Sequence, residues 1–243
     1  VLNRIGGAEL LGDLEVFALL VSALSHDVGH PGRTNPFLLE VAHELAVRYN
    51  DKSPLENMHC ARLFEICGDS AANVFKNTQQ DTYKHVRKIC IEAILHTDNA
   101  QHFDMVKEIK KTYEVTSDIC DAWASNPEAM MSAYREEVLN RDAMLWIKLL
   151  LHLSDISTPL KPFHISRAWA TRVQDEFFAQ GDEEKRLGLP VGMLNDRDKV
   201  SRSGSEHGFI NFLAAPLVYP TVGIFPQLHH LAAQMASNVE QWR

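Results

Sequence analysis

Apolar residues recur every three or four positions along most of the chain, and no useful stretch alternates between apolar and polar residues. A period near 3.6 predicts amphipathic helices, whereas strict alternation would predict strands. The most apolar segment covers residues 143–153. The predicted helices run from 13 to a turn at 26, over 37–47 and 54–67, from 78 or 81 to 95, from 126 onward, over 143–153 and about 166–178, and in two final segments, 209–219 and 228–242.

Residues that start and stop helices set these predicted boundaries. The run Ser53-Pro54-Leu55-Glu56 has the form of a capping box, with proline at the first helical position. Gly181 is predicted to close the helix that begins near Ser166, and residues 187–205 are predicted to form a polar loop. The chain has no internal repeat and no low-complexity tract. The predicted fold class is therefore all-α, with a single domain over residues 1–243.

Two of the apolar helices end in residues that can bind a metal. His26 and Asp27 follow the apolar run 16–21, and Asp155 ends the segment 143–153. Each of the three can be explained as an ordinary cap or turn residue, but neutral imidazole suits zinc and a carboxylate can bridge to a harder cation such as magnesium. Together they predict a metal site, for which one more histidine is expected.

Composition narrows the class of protein. The formal net charge is −8 and no basic stripe is present, which argues against a nucleic-acid partner. No apolar run reaches the roughly 18 residues of a membrane span, and the N-terminus lacks the layout of a signal peptide, so a cytoplasmic location without a transmembrane segment is expected. The cysteines have no C-x-x-C spacing and predict reduced thiols of an intracellular protein; they are Cys60, Cys67, Cys90 and Cys120.

Several motifs, in order along the chain, resemble class I 3′,5′-cyclic nucleotide phosphodiesterases. They are His26-Asp27-Val28-Gly29-His30-Pro31-Gly32, residues 44–51, Leu55-Glu56-Asn57-Met58-His59, Thr97-Asp98, and residues 153–157, 176–182 and 208–210. The resemblance implies an all-helical catalytic domain of the HD type. The activity it implies is hydrolysis of cyclic AMP, cyclic GMP or both to 5′-nucleotides, by a hydroxide that two metals activate.

The resemblance also implies the roles of the metal-site residues. His26, Asp27 and Asp155 would hold the tighter metal, usually zinc, together with a histidine that precedes Val1. The second metal, usually magnesium (or manganese), would share Asp27 and otherwise bind water held by His30, Glu56 and Thr97. The histidine that protonates the leaving oxygen also precedes His26 in the family. The sequence, which opens without methionine, is therefore expected to be a fragment that lacks the N-terminal helices of the domain.

For the purine base, the resemblance implies a pocket that includes Phe209 as the stacking ring and Val173 on its opposite side. Phe177, Trp169 and Met193 match further pocket positions. From the residues alone, aromatic side chains at helical spacing are ordinary core residues. The resemblance favours the stacking role for Phe209.

Three residues depart from the family pattern. Gly29 replaces the second aspartate of the usual His-Asp-x-Asp-His motif, and Thr158 stands where many members have an asparagine that contacts the base. Glu206 replaces an almost universal glutamine that hydrogen-bonds the purine edge. We expect Glu206 either to pair with the base or to turn to solvent. The preference between cyclic AMP and cyclic GMP therefore stays open.

Two other functions stay open beside the leading one. These are a different HD-type metal-dependent phosphohydrolase and a non-catalytic cyclic-nucleotide sensor. The resemblance further implies a regulatory domain N-terminal to this segment, and it is compatible with a homodimer.

Overall fold

The computed structural model of the protein describes residues 1–243, apart from the side chains of residues 8 and 9. Helices make up most of the described chain, which contains no β-strand, so the all-α prediction is confirmed. The α-helices are α1 (Gly7–Leu10), α2 (Asp13–Ser25), α3 (Asn35–Glu40), α4 (Glu44–Arg48), α5 (Pro54–Ile66), α6 (Gln80–Leu95), α7 (His102–Ser125), α8 (Pro127–Ala133), α9 (Ala143–Asp155), α10 (Phe163–Leu187), α11 (Arg202–Phe209), α12 (Ala215–Ile224) and α13 (His229–Trp242). Short 3₁₀ turns cover Asn99–Gln101, Thr158–Leu160 and Pro226–Leu228, and π-helical turns cover Tyr134–Leu139 and Ile210–Ala214.

The main hydrophobic core is built around α9, the most apolar segment of the sequence. Trp146, Ile147 and Leu149 of this helix are fully buried, and the helix packs against α2 and α6. Further along the same core, α12 packs along α7. Burial on all sides explains why the segment 143–153 carries almost no polar residue.

A second, smaller core lies beside the main one. Its members come from α3, α4 and α5, and they are Phe37, Leu38, Leu45, Leu55 and Met58. The loop that contains the His26–Gly32 motif connects α2, which packs in the main core, to α3, which packs in the small one. The candidate metal residues therefore lie at a junction between two packed units.

The helix predicted over 37–47 is wrong, because the structure has two short helices there. The break falls at Ala42, whose φ is +48°, and at His43, whose Nδ1 accepts a hydrogen bond from the backbone N–H of Leu45 at 3.2 Å. His43 therefore caps α4 in the way that an aspartate or serine usually does. No glycine or proline marks this break in the sequence.

The prediction that Gly181 ends a helix is also wrong. The helix α10 continues through Gly181 to Leu187, and it is Gly188, with φ of +71°, that ends it. A Cβ atom at position 181 would lie 2.0 Å from the backbone oxygen of Asn195. Glycine is needed here because a loop crosses the helix surface, and not because the helix stops.

The start of α5 also differs from its prediction. Pro54 is the first helical residue, as expected, but Ser53 has φ of +42° and caps nothing. Its hydroxyl donates to Asp98 Oδ2 at 2.6 Å, and the carboxylate of Glu56 instead accepts from Asn35 Nδ2 at 2.8 Å. Both polar side chains of the supposed capping box thus point to other parts of the chain.

Two predictions made from composition concern the cysteines and membrane-spanning segments. The four cysteines are buried and unpaired. Among the described residues, no helix has both the length and the hydropathy that crossing a membrane would require.

Candidate active site

The C-terminal ends of α2 and α9 bring three candidate metal ligands together. His26 follows the last residue of α2, and Asp155 is the last residue of α9. The Nε2 atom of His26 lies 3.2 Å from Asp155 Oδ1 and 3.4 Å from Asp27 Oδ2. One ligand atom from each of the three residues lies within 4.8 Å of the others. The structure therefore brings together His26 and Asp155, which are 129 positions apart in the sequence.

Hydrogen bonding and charge set the protonation state of this cluster. The carboxylates of Asp155 and then Asp27 raise the pKa of His26 from 6.5 to about 10. The hydrogen bond from His26 in turn holds the pKa of Asp27 below its usual range. The His26 Nδ1 atom donates to the backbone oxygen of Ala23 at 3.0 Å, so Nε2 is the atom that faces the carboxylates. A divalent cation could replace the proton on Nε2, since metal ligands must be deprotonated.

His59 adds a fourth group to which the sequence analysis gave no role. It is almost fully buried, its Nδ1 donates to the backbone oxygen of Val28 at 2.9 Å, and burial lowers its pKa. Its Nε2 atom therefore carries no proton and faces Asp27 Oδ1 at 3.7 Å. Two acceptor atoms oppose each other across this gap, and a cation or an ordered water between them would remove the conflict. The donor set thus fits a metal site.

A signal for His59 was available in the sequence. It follows Glu56 by three residues, so the two side chains share one face of α5. The ring of His59 also stacks on that of His30, with centroids 5.7 Å apart.

His30, Glu56 and Thr97 surround the cluster. The backbone N–H of Gly32 donates to His30 Nδ1 at 3.0 Å, which leaves the proton of the neutral ring on Nε2. Burial raises the pKa of Glu56, with the nearby charges of Asp98 and Asp27 acting in the same direction. The Thr97 hydroxyl donates to the backbone oxygen of Ile94 at 2.8 Å and keeps its lone pairs as acceptors.

An open cavity of about 750 Å³ lies over these residues. Its lining includes most of the predicted metal-side residues, namely Asp27, His30, Glu56, Thr97 and Asp155, and two of the predicted base-side residues, Phe177 and Met193. A cavity of this volume is within the usual range for small-molecule sites. The apolar part of the wall comes from α3, the start of α5, α10 and the loop after α10.

The other base-side residues lie on neighbouring elements and do not line this cavity. Trp169 and Val173 share a face of α10 with Phe177 at four-residue spacing, and both are exposed. Thr158 begins the 3₁₀ turn after α9, and Phe209 is the last residue of α11, packed against the main core.

Glu206 is buried and is held by a residue that the sequence analysis did not name. Gln174 Nε2 donates to Glu206 Oε1 and to the backbone oxygen of Arg202, at 3.0 Å in each case. Burial raises the pKa of Glu206. The alternative in which Glu206 turns to solvent does not describe this structure, since only 7% of the residue is exposed.

Relatives of known name agree with these features. The chain is 33% identical over 227 residues to the high-affinity cGMP-specific 3′,5′-cyclic phosphodiesterase 9A of Pan troglodytes, a match that covers 93% of this chain and 35% of the relative. It is 32% identical over 237 residues to a probable 3′,5′-cyclic-AMP phosphodiesterase, pde-4, of Caenorhabditis elegans, covering 97% of this chain and 33% of the relative. The chain thus spans about a third of the length of these curated relatives.

Solved structures with the same fold are also phosphodiesterase domains. The structure of LmjPDEB1 in complex with IBMX superposes with a TM-score of 0.84 at 30% identity, covering 99% of this chain and 68% of that one. The phosphodiesterase domain of the RhoPDE fusion protein from the choanoflagellate Salpingoeca rosetta gives 0.84 at 32% identity, with coverages of 97% and 70%. The family model for 3′5′-cyclic nucleotide phosphodiesterase matches residues 1–235. The chain belongs to the 3′,5′-cyclic nucleotide phosphodiesterase family.

Proposed function

We propose that this chain is the catalytic domain, or the greater part of it, of an enzyme that hydrolyses 3′,5′-cyclic nucleotides to 5′-nucleotides. The observation that carries the proposal is the meeting of His26, Asp27 and Asp155 at the cavity, in a chain of the phosphodiesterase family. Relatives named for cyclic GMP, for cyclic AMP and for dual specificity support the general substrate class and leave the base open.

The donor set supports two different divalent cations. His26 provides the imidazole that favours zinc, and Asp27 and Asp155 provide carboxylates that bind zinc or magnesium. When bound, such cations activate water at neutral pH and neutralise charge on a phosphate. Asp27 lies between His26 and His59 and is the ligand best placed to be shared by both metals.

The residues around the cations have roles that follow from their contacts. Glu56 is fixed by Asn35, and its raised pKa favours the exchange of a proton with bound water. The Nε2–H group of His30 and the free lone pairs of Thr97 line the same cavity and would orient water or phosphate oxygens. Phe209, Val173, Phe177, Trp169, Thr158 and Met193 are proposed to bind the nucleoside, with Glu206 at the purine edge.

The family pattern also requires a second metal histidine and an acid-donating histidine ahead of His26. Residues 1–25 contain no histidine. Activity should therefore be measured on the full-length protein. The test is turnover of cyclic AMP and cyclic GMP, with nucleoside 5′-phosphates as a comparison panel, before and after chelation.

The outcomes separate the three functions. A phosphodiesterase releases 5′-nucleotide from at least one cyclic nucleotide, and it loses this activity on chelation. Turnover confined to non-cyclic phosphates would favour another phosphohydrolase. Tight binding of cyclic nucleotide without product would favour a sensor.

A further inference from the structure

One wall of the cavity contains a series of hydrogen bonds that connects its mouth to Glu56, with one covalent link between the adjacent residues Thr34 and Asn35. The series begins in the loop after α10, residues 188–201, and ends on α5. Its members all line the cavity, and they are Gly192, Asn195, Glu184, Gln180, Thr34, Asn35 and Glu56. Neither the sequence motifs nor the metal-site chemistry gave a role to the two residues at its centre, Gln180 and Glu184.

Glu184 is the point where the loop is fastened to α10. Its residue is 5% exposed, and its carboxylate accepts from Gly192 N at 2.8 Å, from Asn195 Nδ2 at 3.0 and 3.2 Å, and from Gln180 Nε2 at 2.8 Å. All of these partners are donors, which an ionised carboxylate satisfies because it only accepts. The loop between Gly192 and Asn195 carries Met193, which is 86% exposed at the cavity mouth.

The loop fits against α10 with no spare room. A Cβ atom added to Gly192 would lie 2.5 Å from Asn195 Nδ2, and one added to Gly181 would lie 2.0 Å from Asn195 O. Glu184 and the two glycines therefore define one position for the loop.

Gln180 carries the series onward to the metal side. Its Oε1 atom accepts from Thr34 N at 2.9 Å, and its Nε2 atom donates to Thr34 Oγ1 at 3.1 Å. The next residue, Asn35, donates through Nδ2 to Glu56 Oε2 at 2.8 Å and accepts from Leu55 N at 3.0 Å. The N-terminal ends of α3 and α5, which face the cavity, are thus linked by hydrogen bonds to α10.

We propose that Gln180 and Glu184 are positioning residues. They fix the position of the loop that carries Met193 relative to the carboxylate of Glu56 on the metal side of the cavity. The proposal rests on the cyclic nucleotide hydrolysis proposed above. Glu184 fixes the loop that carries Met193, so its loss acts mainly on substrate binding. Gln180 fixes Thr34 and Asn35, so its loss acts mainly on the chemical step through Glu56.

Single substitutions in the full-length enzyme should therefore separate KM from kcat. In Glu184→Gln, the new amide NH₂ opposes the donors Gly192 N–H and Asn195 Nδ2, and the loop is released. We expect KM for the preferred cyclic nucleotide to rise about tenfold, as for one lost hydrogen bond to a charged group, with kcat within about twofold. In Gln180→Ala, we expect kcat to fall about tenfold with a smaller change in KM.

The exchange of the two side chains gives the sharpest test. In Gln180→Glu/Glu184→Gln, the carboxylate at 180 accepts from Thr34 and from the amide at 184, whose oxygen then accepts from Gly192 N. Only the 3.0 Å contact between position 184 and Asn195 Nδ2 still opposes two donors, and Asn195 Nδ2 keeps the amide oxygen at 184 as an acceptor. The double variant should therefore recover most of the KM lost in Glu184→Gln and most of the kcat lost in Gln180→Glu, since Gln180→Glu alone places two carboxylates together. A double variant no better than either single one would overturn the proposal.

A second measurement is independent of turnover. Hydrogen exchange of the segment 188–196 in the substrate-free protein should be faster in Glu184→Gln and slower again in the double variant, in which Gly192 N regains its acceptor. Asp182→Asn is the matched control, because Asp182 joins the same helix to the same loop through an exposed pair with Arg197; it should change neither exchange near Gly192 nor KM.

The two levels of proposal fail in different ways. A wild-type enzyme without cyclic nucleotide turnover would remove the proposed function and leave the exchange results to be judged alone. An active wild type whose Glu184→Gln variant has unchanged KM and unchanged exchange would remove only the positioning role. If Glu184→Gln does not fold, recovery of folding in the double variant still tests the complementarity.

Discussion

Each ligand at the candidate metal site changes the proton affinity of its neighbours. His26 without a metal is a cation at neutral pH, because Asp155 and Asp27 raise its pKa to about 10. The proton therefore occupies the place that a metal would take, and the two compete for Nε2. Binding of a divalent cation at pH 7 should release about one proton per site.

The first prediction concerns Asp155. Asp155→Ala should remove both the metal and the cyclic nucleotide turnover, since a missing carboxylate leaves the cation undercoordinated and His26 with a lower pKa. Elemental analysis of the purified full-length variant measures the metal per chain. Asp142→Ala is the control, because Asp142 caps the other end of the same helix through Met144 N at 3.0 Å. It should lose about 1 kcal/mol of stability and keep its metal; undiminished metal in Asp155→Ala would contradict the assignment.

The second prediction concerns Glu206 and has a defined pH dependence. Burial raises its pKa, so the folded protein binds this proton more tightly than the unfolded chain. The contribution of Glu206 to the free energy of unfolding is complete below its ordinary pKa of 4.5, and it is lost as the pH rises through the raised pKa. Glu206→Gln should therefore raise Tm at pH 8, where the wild type pays for a buried charge, and the gain should vanish toward pH 4.

The same variant tests the role of Glu206 in base recognition. Glutamine can donate as well as accept, so kcat/KM for at least one cyclic purine nucleotide should increase, most strongly above neutral pH. Glu136→Gln, at an exposed position, serves as the control for a change of charge alone. Equal kcat/KM for wild type and Glu206→Gln across the pH range would exclude a contact with the base.

At the scale of elements, the sequence was informative where a helix is buried on all sides or stopped by glycine and proline. The ends of α2 and α9 were predictable for that reason, and with them His26, Asp27 and Asp155. The partner of Glu206 was not predictable, because Gln174 lies 32 positions away on another helix and no periodicity relates the two. The break at Ala42 was also hidden, since its cap is a histidine ring.

Gly181 shows why one residue type can be misread. A glycine near the end of an apolar pattern usually closes a helix. Here glycine is needed because the loop at Asn195 crosses the helix too closely for a Cβ atom. What packs on a helix cannot be read from the helix itself.

The third prediction follows from that crossing. Gly181→Ala should destabilise the protein or displace the loop, because the added Cβ would meet Asn195 O at 2.0 Å. Gly208→Ala is the matched control in α11, where a Cβ meets nothing within 4 Å, and it should stabilise the protein by about 0.5–1 kcal/mol. Urea unfolding of the two variants should therefore give shifts of opposite sign, and equal shifts would argue that the crossing is not tight.

At the scale of the whole molecule, the candidate metal site lies between helices that are far apart in the sequence. A cation held by His26, Asp27 and Asp155 connects α2 to α9 across 129 positions. A cation that binds only the folded state would stabilise the fold by about 2.7 kcal/mol when free metal exceeds the Kd a hundredfold.

The fourth prediction is a fall in Tm on chelation. The wild type should melt at a lower temperature after metal removal and recover when zinc or magnesium is restored, which also identifies the metal that stabilises the site. Asp155→Ala should show no response to chelator, while Asp142→Ala should respond like the wild type. A Tm that is the same with and without chelator would show that no metal is held at the junction.

The two separate cores bear on how the enzyme would fail under stress. The small core of Phe37, Leu38, Leu45, Leu55 and Met58 holds α3, α4 and the start of α5, where Asn35 and Glu56 lie. The rest of α5 joins the main core through Cys60 and Leu63, and His26 and Asp155 follow helices of that main core. A unit with so few apolar members can open on its own while the rest stays folded. On gradual heating, catalysis should then disappear several degrees before the helical circular dichroism signal, and cooling from that interval should restore it in full. The protein would thus have a reversible inactive state on heating, in which the proposed activity is lost while most helices are still folded.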